Sequence, residues 1–237
     1  MNAKSTREAA AAHEALAVVF QARAGVLQAL VWERAREPYL GAWSLPGGRL
    51  GATETLEESI RRHLAAKVDV RELAHLEQLE TRSDPGRSPD GRLIATAYLG
   101  LVPAHLDPHL PADTAWHPVD DLPVMAFDHG EIALAGRERL RAKLSYTNVG
   151  FALAPPSFTI AELREIYVAA LGYDVTATNL QRVLLRRGVL EATGEQTASG
   201  RSGGRPAALY RFASPSLEVT DPFAVFRPPS SRAAGQH

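Results

Sequence analysis

The chain has 237 residues, 45% of them apolar and 22% charged, with a formal net charge of −1. That balance excludes a bulk polyanion binder while leaving room for a local basic patch, and the length suffices for two modest cores. With no cysteine, the chain has no disulfide framework, no thiolate nucleophile and no Cys-ligated metal, which fits a reducing compartment.

The first segment, MNAKSTREAAAAHEA, is Ala-rich but broken by Arg7, Glu8 and Glu14. It lacks the apolar core of a signal peptide, so residues 1–13 read as a disordered start to a cytoplasmic protein. No apolar run reaches the roughly 18 residues of a membrane span. ALAVVFQA (15–22) and VLQALVWERA (26–35) are strand-like runs around a turn at Gly25. EPYLGAWSLPGGRL is loop-like, with Pro38, Gly41, Pro46, Gly47 and Gly48. Over residues 54–67, Leu56, Ile60 and Leu64 fall four apart on one helical face, with Thr53 or Thr55 as the cap. HLEQLETRS (75–83) and RLIATAYLGLV (92–102) read as strands on either side of the turn-rich SDPGRSPDG. HPVDDLPVMAFDHG then leads into a helix, EIALAGRERLRAKL (131–144).

From Tyr146 the character changes. Three short helical patterns follow: YTNVGFAL, then TIAELREIYVAALG with Thr159 as cap and Gly172 past its end, then TATNLQRVLLRRG closed by Gly188. Two strand-like runs, VLEAT and AALYRF, flank GEQTASGRSGGRP. Helix, helix, helix and hairpin within about 80 residues outline a winged helix-turn-helix. A boundary near residue 145 is expected, with the 131–144 helix as the joint and residues 227–237 as a loose tail.

Gly48, Glu54 and Arg62 match the opening of the Nudix box, G-x5-E-x7-R-E-U-x-E-E-x-G-U, where U is bulky and apolar. SLPGG before it resembles that family's approach to the box. In the family the glutamates hold divalent metals against a diphosphate. Here His63, Ala66 and Lys67 stand at the three glutamate positions and Asp69 at the glycine, while Leu64 and Val70 keep the apolar ones. Residues 63, 66 and 67 share one helical face. Carboxylates there would gather Mg²⁺, a cation that needs oxygen ligands. Ala66 offers none, and Lys67 puts a positive charge where the cation would sit. No metal site and no catalytic residue is therefore expected. Glu57 and Glu58 read as solvated helix surface.

A pocket survives the loss of carboxylates. The Gly47 and Gly48 backbone can approach an anion closely, and the helix beginning near Glu54 directs N–H groups outward. Arg49, Arg62 and Lys67 are placed to offset phosphate charge. Trp43, beside this loop, either stacks on a flat base or simply packs.

The third C-terminal helix carries Thr178, Asn179, Gln181, Arg182, Arg186 and Arg187 around a buried face of Leu180, Val183 and Leu184. Residues 178–211 have a local net charge of +4. In a winged motif the third helix is placed for the major groove, where Arg, Asn and Gln read purine edges or clamp phosphates. Arg201 and Arg205, in the Gly-rich hairpin tip, are placed for phosphates or the minor groove. Arg137, Arg139, Arg141 and Lys143 on the joint helix read as solvent-exposed. Asp128 and His129 are an acid–base pair in sequence that a helix N-cap at Asp128 explains equally well.

Together, SLPGG and the box remnant, AFDHG, KLSYTNVGFAL, FTIAELREIYVAALG, TNLQRVL and GRPAALYRF resemble one family from about residue 14 to 226: the Nudix-related transcriptional regulators of NAD metabolism, NrtR. The resemblance implies an α+β chain. A Nudix-type α/β/α sandwich with a mixed sheet (14–145) senses ADP-ribose or a related nucleotide. A winged helix-turn-helix (146–226) binds double-stranded operator DNA of NAD synthesis or salvage genes. The expected assembly is a homodimer, free of membrane and of required cofactors. Two other readings remain open: a Nudix hydrolase of ADP-ribose or another nucleoside diphosphate with an atypical metal site, and a protein-interaction scaffold.

Overall fold

A computed structural model describes residues 11–197 and 206–221. In chain order the first module has strands β1 (Ala12–Arg23), β2 (Val26–Glu33), β3 (Trp43–Ser44) and β4 (Gly47–Arg49), then helix α1 (Leu56–Lys67). Strands β5 (His75–Arg82), β6 (Leu93–Leu101) and β7 (Thr114–Pro118) precede helix α2 (His129–Tyr146). The sheet runs β3-β2-β1-β6-β5, with β4 added to β1 and β7 to β2. It is mixed, because β1 pairs parallel with β6 and antiparallel with β2.

β1 organises the sandwich through its alternation. Leu16, Val18 and Phe20 enter one core, while Ala15, Ala17 and Val19 enter the other, as a strand covered on both faces requires. α1 closes the second core with Ile60 and Leu64. On the opposite face α2 contributes Ile132, Ala133, Leu140 and Leu144. Its close approach depends on Gly136, where a Cβ would lie 2.9 Å from Val18 Cγ1. This is the α/β/α sandwich that the sequence implies. β3, β4 and β7 were not expected as strands. Each has at most five residues, too few for alternation to show, and pairing with β1 or β2 creates them.

The second module holds α3 (Ile160–Leu171), α4 (Ala177–Arg186) and a hairpin of β8 (Leu190–Gln196) and β9 (Ala208–Phe212). Thr159 and Glu162 form a capping box on α3, and Gly172 ends it in the left-handed region at φ 74. Thr176 caps α4. The expected helix over YTNVGFAL is smaller than its pattern suggests. Tyr146 closes α2, Thr147 is extended, and only Val149–Ala152 forms a 3-10 turn. The cores are divided by the sheet and not by the change of module. Phe158, Leu163, Leu180 and Leu184 belong to the same cluster as Val18 and Phe20. After β9 the chain returns to the joint, where Asn148 donates to Ser216 O (2.8 Å) and accepts from Glu218 N (2.7 Å). No helix among the described residues is long and apolar enough to cross a membrane.

Candidate functional site

α1 starts with reciprocal hydrogen bonds. Glu58 N donates to Thr55 Oγ1 (3.2 Å) and Thr55 N to Glu58 Oε2 (2.7 Å), satisfying two helix-end donors. Glu57 pairs with Arg61 at 2.9 Å. The helix so fixed lays residues 63–67 beside β4. His63 is buried, and its Nε2 donates to the Arg49 carbonyl oxygen at 3.1 Å; burial lowers its pKa, so the ring is neutral at pH 7. The ring has room only because Gly48 lacks a side chain, since a Cβ there would lie 2.6 Å from His63 Cε1. Lys67 Nζ donates to the Gly47 carbonyl oxygen at 2.7 Å and lies 4.4 Å over the Trp32 ring. Burial, then Arg34, lowers its pKa. Two of the three box positions thus hold donors that grip carbonyls of β4. Asp69, at the glycine position, keeps the left-handed backbone at φ 50, a conformation Asp tolerates better than most side chains.

Glu54 and Arg62 face each other. Arg62 Nε and Nη2 donate to Glu54 at 2.8 and 2.5 Å. That pairing, with the Gly51 N–H, holds the Glu54 pKa at about 2. Sequence reasoning placed both in the ligand pocket. The structure pairs them with each other, and neither is in the cavity wall.

The cavity beside the box has a volume of about 200 Å³. Gly47, Gly48, Arg49 and Lys67 line it as expected. Trp43 does not; its ring packs 4.8 Å from His117 and against the core shared with α2. Trp32 and Phe127 supply the aromatic walls instead, with the Arg34 guanidinium 4.9 Å over Phe127. Phe127 sits at φ 53, a strained backbone for a bulky side chain of the kind that gathers at binding sites. Of the lining carboxylates, Glu14 is taken by buried Arg87 at 2.8 Å, while Glu37 and Asp90 are exposed and screened by solvent. The half-buried Arg34 and Lys67 are left to set a positive interior field.

Two residues of the lining each bury a polar side-chain atom that has no hydrogen-bond partner: Ser44 Oγ and His129 Nε2. Such an atom costs about 1–3 kcal/mol unless something binds it. His129 Nδ1 accepts the Leu45 N–H at 3.1 Å. Burial depresses its pKa to about 3, so the ring is neutral with its proton on Nε2. The adjacent acid and base in AFDHG therefore part company. Asp128 makes no cap bond and turns to Arg87 at 2.7 Å, while His129 is buried and accepts the Leu45 N–H. Trp32, Arg34, Ser44 and Phe127 were missed, and only AFDHG carried a local signal. A larger hollow of about 540 Å³ lies between the β1–β2 turn and α3. Glu162 and Glu165 line it, and Arg23 there is paired with Asp107, so its charge disfavours a diphosphate.

On α4, Thr178, Asn179, Arg182 and Arg186 form an exposed stripe, and Arg182 Nη2 donates to Asn179 Oδ1 at 2.7 Å. Two residues expected on that stripe lie elsewhere. Gln181 is half-buried against the hairpin, donating to the Tyr210 hydroxyl at 2.8 Å. Arg187 points into the joint, donating to Thr147 O and Thr220 Oγ1. Arg201 and Arg205 lie outside the described residues. The joint-helix cations are paired rather than free in solvent: Lys143 pairs with Glu77 at 2.7 Å and Arg139 donates to Leu79 O at 3.1 Å, both on β5, while Arg137 pairs with Asp120 and Arg141 with Glu138 of α2.

A Nudix-type sandwich sharing its core with a winged helix whose helix α4 exposes Asn and Arg defines a Nudix-related transcription regulator. Comparisons with known proteins agree. Residues 12–135 match the NUDIX domain and residues 150–212 the NrtR DNA-binding winged helix domain. The chain is 30% identical over 202 residues to the ADPR responsive transcriptional repressor NtrR of Acinetobacter baylyi, covering 82% of this chain and 79% of that one. Shewanella oneidensis NrtR complexed with a 27mer DNA superposes with a TM-score of 0.74 at 32% identity, covering 85% of this chain and 93% of that one. The NUDIX domain of the same Shewanella protein complexed with ADP ribose superposes with a TM-score of 0.51 at 30% identity, covering 59% of this chain and 94% of that one. The chain belongs to the NrtR family.

Proposed function

We propose that this protein is a cytoplasmic transcriptional repressor of NAD synthesis or salvage genes, acting as a homodimer on operator DNA. Its effector is ADP-ribose or a related diphosphate nucleotide, held in the cavity beside α1 and not hydrolysed, with no cofactor required. The observation that carries the non-catalytic reading is the Lys67 ammonium bonded to Gly47 O, with Ala66 beside it. Metal-assisted attack on a diphosphate needs carboxylate-held cations to neutralise charge and activate water. Here a fixed ammonium offsets ligand charge, and His63, Ala66 and Lys67 offer no carboxylate to a metal at the box positions. A sensor needs its ligand intact, which accounts for a box that keeps its frame and loses its acids.

Support for DNA binding and effector response comes from the relatives, one solved with DNA and with ADP ribose and one named for its ADPR response. On this chain Thr178, Asn179, Arg182 and Arg186 enter the major groove, and Arg201 and Arg205 reach phosphates or the minor groove from the wing. One winged helix reads too few base pairs for a unique site, so two copies bind a near-palindromic operator.

The test is retardation of the DNA fragment upstream of the protein's own gene, against a scrambled duplex, with ADP-ribose titrated in. Specific retardation altered by ADP-ribose is expected. No preference for the fragment supports a scaffold instead. Turnover of ADP-ribose with Mg²⁺ or Mn²⁺ at about 1 per second or faster establishes a hydrolase.

A further inference from the structure

Glu14 and Arg49 are placed to pair across two strands and do not. They stand directly opposite each other on β1 and β4, so their side chains share one face of the sheet with Cβ atoms about 4.5–5.5 Å apart. Opposite charges at that spacing attract and stabilise a sheet. Here the Glu14 carboxylate accepts instead from Arg87 Nη1 at 2.8 Å, a side chain 73 residues further along the chain.

A second acid sets Arg87 in place. The Arg87 side chain is 2% exposed, and its fork grips both oxygens of Asp128, Nη2 on Oδ1 at 2.7 Å and Nε on Oδ2 at 3.2 Å. Burying a guanidinium is costly, and paired, bidentate contacts of this kind offset the cost. The cavity cations are thereby left without an acid. Glu14, Arg34, Arg49 and Lys67 line the cavity together, yet among the described residues no carboxylate pairs with Arg34, Arg49 or Lys67. Glu14 is close enough to matter to them. Burial, then Arg34, lowers the Lys67 pKa, and the Glu14 carboxylate acts against both, so its charge reaches the ammonium. Released from Arg87, that carboxylate would turn to Arg49 and Lys67 and occupy the donors that phosphate oxygens need.

We infer that Arg87 is a positioning residue for anion binding: it withholds the Glu14 carboxylate from Arg49 and Lys67 and so leaves both cations to a diphosphate. For a nucleotide this rests on the sensing role proposed above.

A double-mutant cycle on the full chain tests it, by calorimetric titration with ADP-ribose and, separately, with inorganic pyrophosphate. Arg87→Gln should weaken both ligands by about tenfold or more, because Glu14 then competes for the same cations. Adding Glu14→Gln should restore both to within about threefold of the parent, whereas Glu14→Gln in the parent should raise affinity by less than about threefold. A purely structural Arg87, or the mere removal of one negative charge, predicts the same effect of Glu14→Gln in both backgrounds, and that result overturns the inference. So does an Arg87→Gln chain that binds like the parent. The expected pattern with pyrophosphate, but no binding of ADP-ribose, sustains the inference and removes the nucleotide-sensing reading. A parent that binds neither removes both. Thermal melting reports folding. If Arg87→Gln fails to fold, Arg87→Lys, which keeps the charge and loses the bidentate grip, decides by the same comparison between backgrounds.

Discussion

Arg187 Nη2 donates to the Thr147 carbonyl oxygen across 2.8 Å. Arg187 caps the C-terminus of α4, and Thr147 caps that of α2, the helix that begins with His129 at the cavity. The same guanidinium also donates to Thr220 Oγ1 at 2.5 and 3.1 Å. One side chain thus joins α4, α2 and the returning chain. Arg187→Ala should destabilise the protein by about 1–3 kcal/mol, because it leaves a buried carbonyl and hydroxyl unpaired. Exposed Arg186→Ala should cost less than about 0.5 kcal/mol. Denaturant unfolding of both variants checks this, and equal losses would count against the joint.

Arg182 and Asn179 already share a hydrogen bond and an exposed face. Arg182→Ala should therefore weaken binding to the operator by about 1–3 kcal/mol more than binding to a scrambled duplex. Arg186→Ala should weaken both alike and lower the salt slope by about one unit. Titrations of both duplexes across a salt series separate the two. A loss from Arg182→Ala that is equal on both duplexes would remove its role as a base reader.

Lys67 stands where a metal-holding acid would, so nucleotide affinity should not depend on divalent ions. ADP-ribose binding is expected to be the same in EDTA and in Mg²⁺, and Lys67→Met should weaken it by about tenfold. A Mg²⁺ requirement measured by calorimetry would contradict this.

Gly48 is a contact glycine. Gly48→Ala places a methyl 2.6 Å from His63 Cε1, which must push the ring off the Arg49 carbonyl. A loss of about 1–3 kcal/mol is expected, as for other overpacked sites. The double variant Gly48→Ala, His63→Ala should recover much of it, and a double-mutant cycle by denaturant melts reads the recovery.

His129 makes stability fall in acid. Its folded pKa is about 3, against 6.5 for the free side chain, because burial disfavours the charged ring. Between those values the unfolded chain binds the proton and the folded chain does not, so stability is full above pH 6.5 and drains as pH falls toward 3. By pH 5 the parent should have lost about 2 kcal/mol relative to His129→Asn, which has no titrating group there. Parallel stability curves for the two proteins between pH 7 and 5 would show that the ring is not held neutral.

Local chemistry determined much of this protein. Capping boxes at Thr55 with Glu58 and Thr159 with Glu162, glycine stops at Gly172 and Gly188, and helical periodicity are all near-neighbour properties. They are legible in sequence, and so is the absence of carboxylates at residues 63, 66 and 67. What those replacements do was decided in three dimensions. Lys67 reaches a carbonyl twenty residues away, and His63 fits because Gly48 is empty.

Choices between like residues were also tertiary. Trp43 stands beside the Gly-rich loop and Trp32 in the strand before it, but pairing of β2 with β3 and β7 packs Trp43 against the core and brings Trp32 to the cavity. Arg186 and Arg187 are identical neighbours, yet one helical step of about 100° sends the first to solvent and the second into the joint. A sequence specifies which groups a helix or strand carries. Which of them meet depends on how distant elements pack, because burial and hydrogen bonding across the core are satisfied by the whole fold at once.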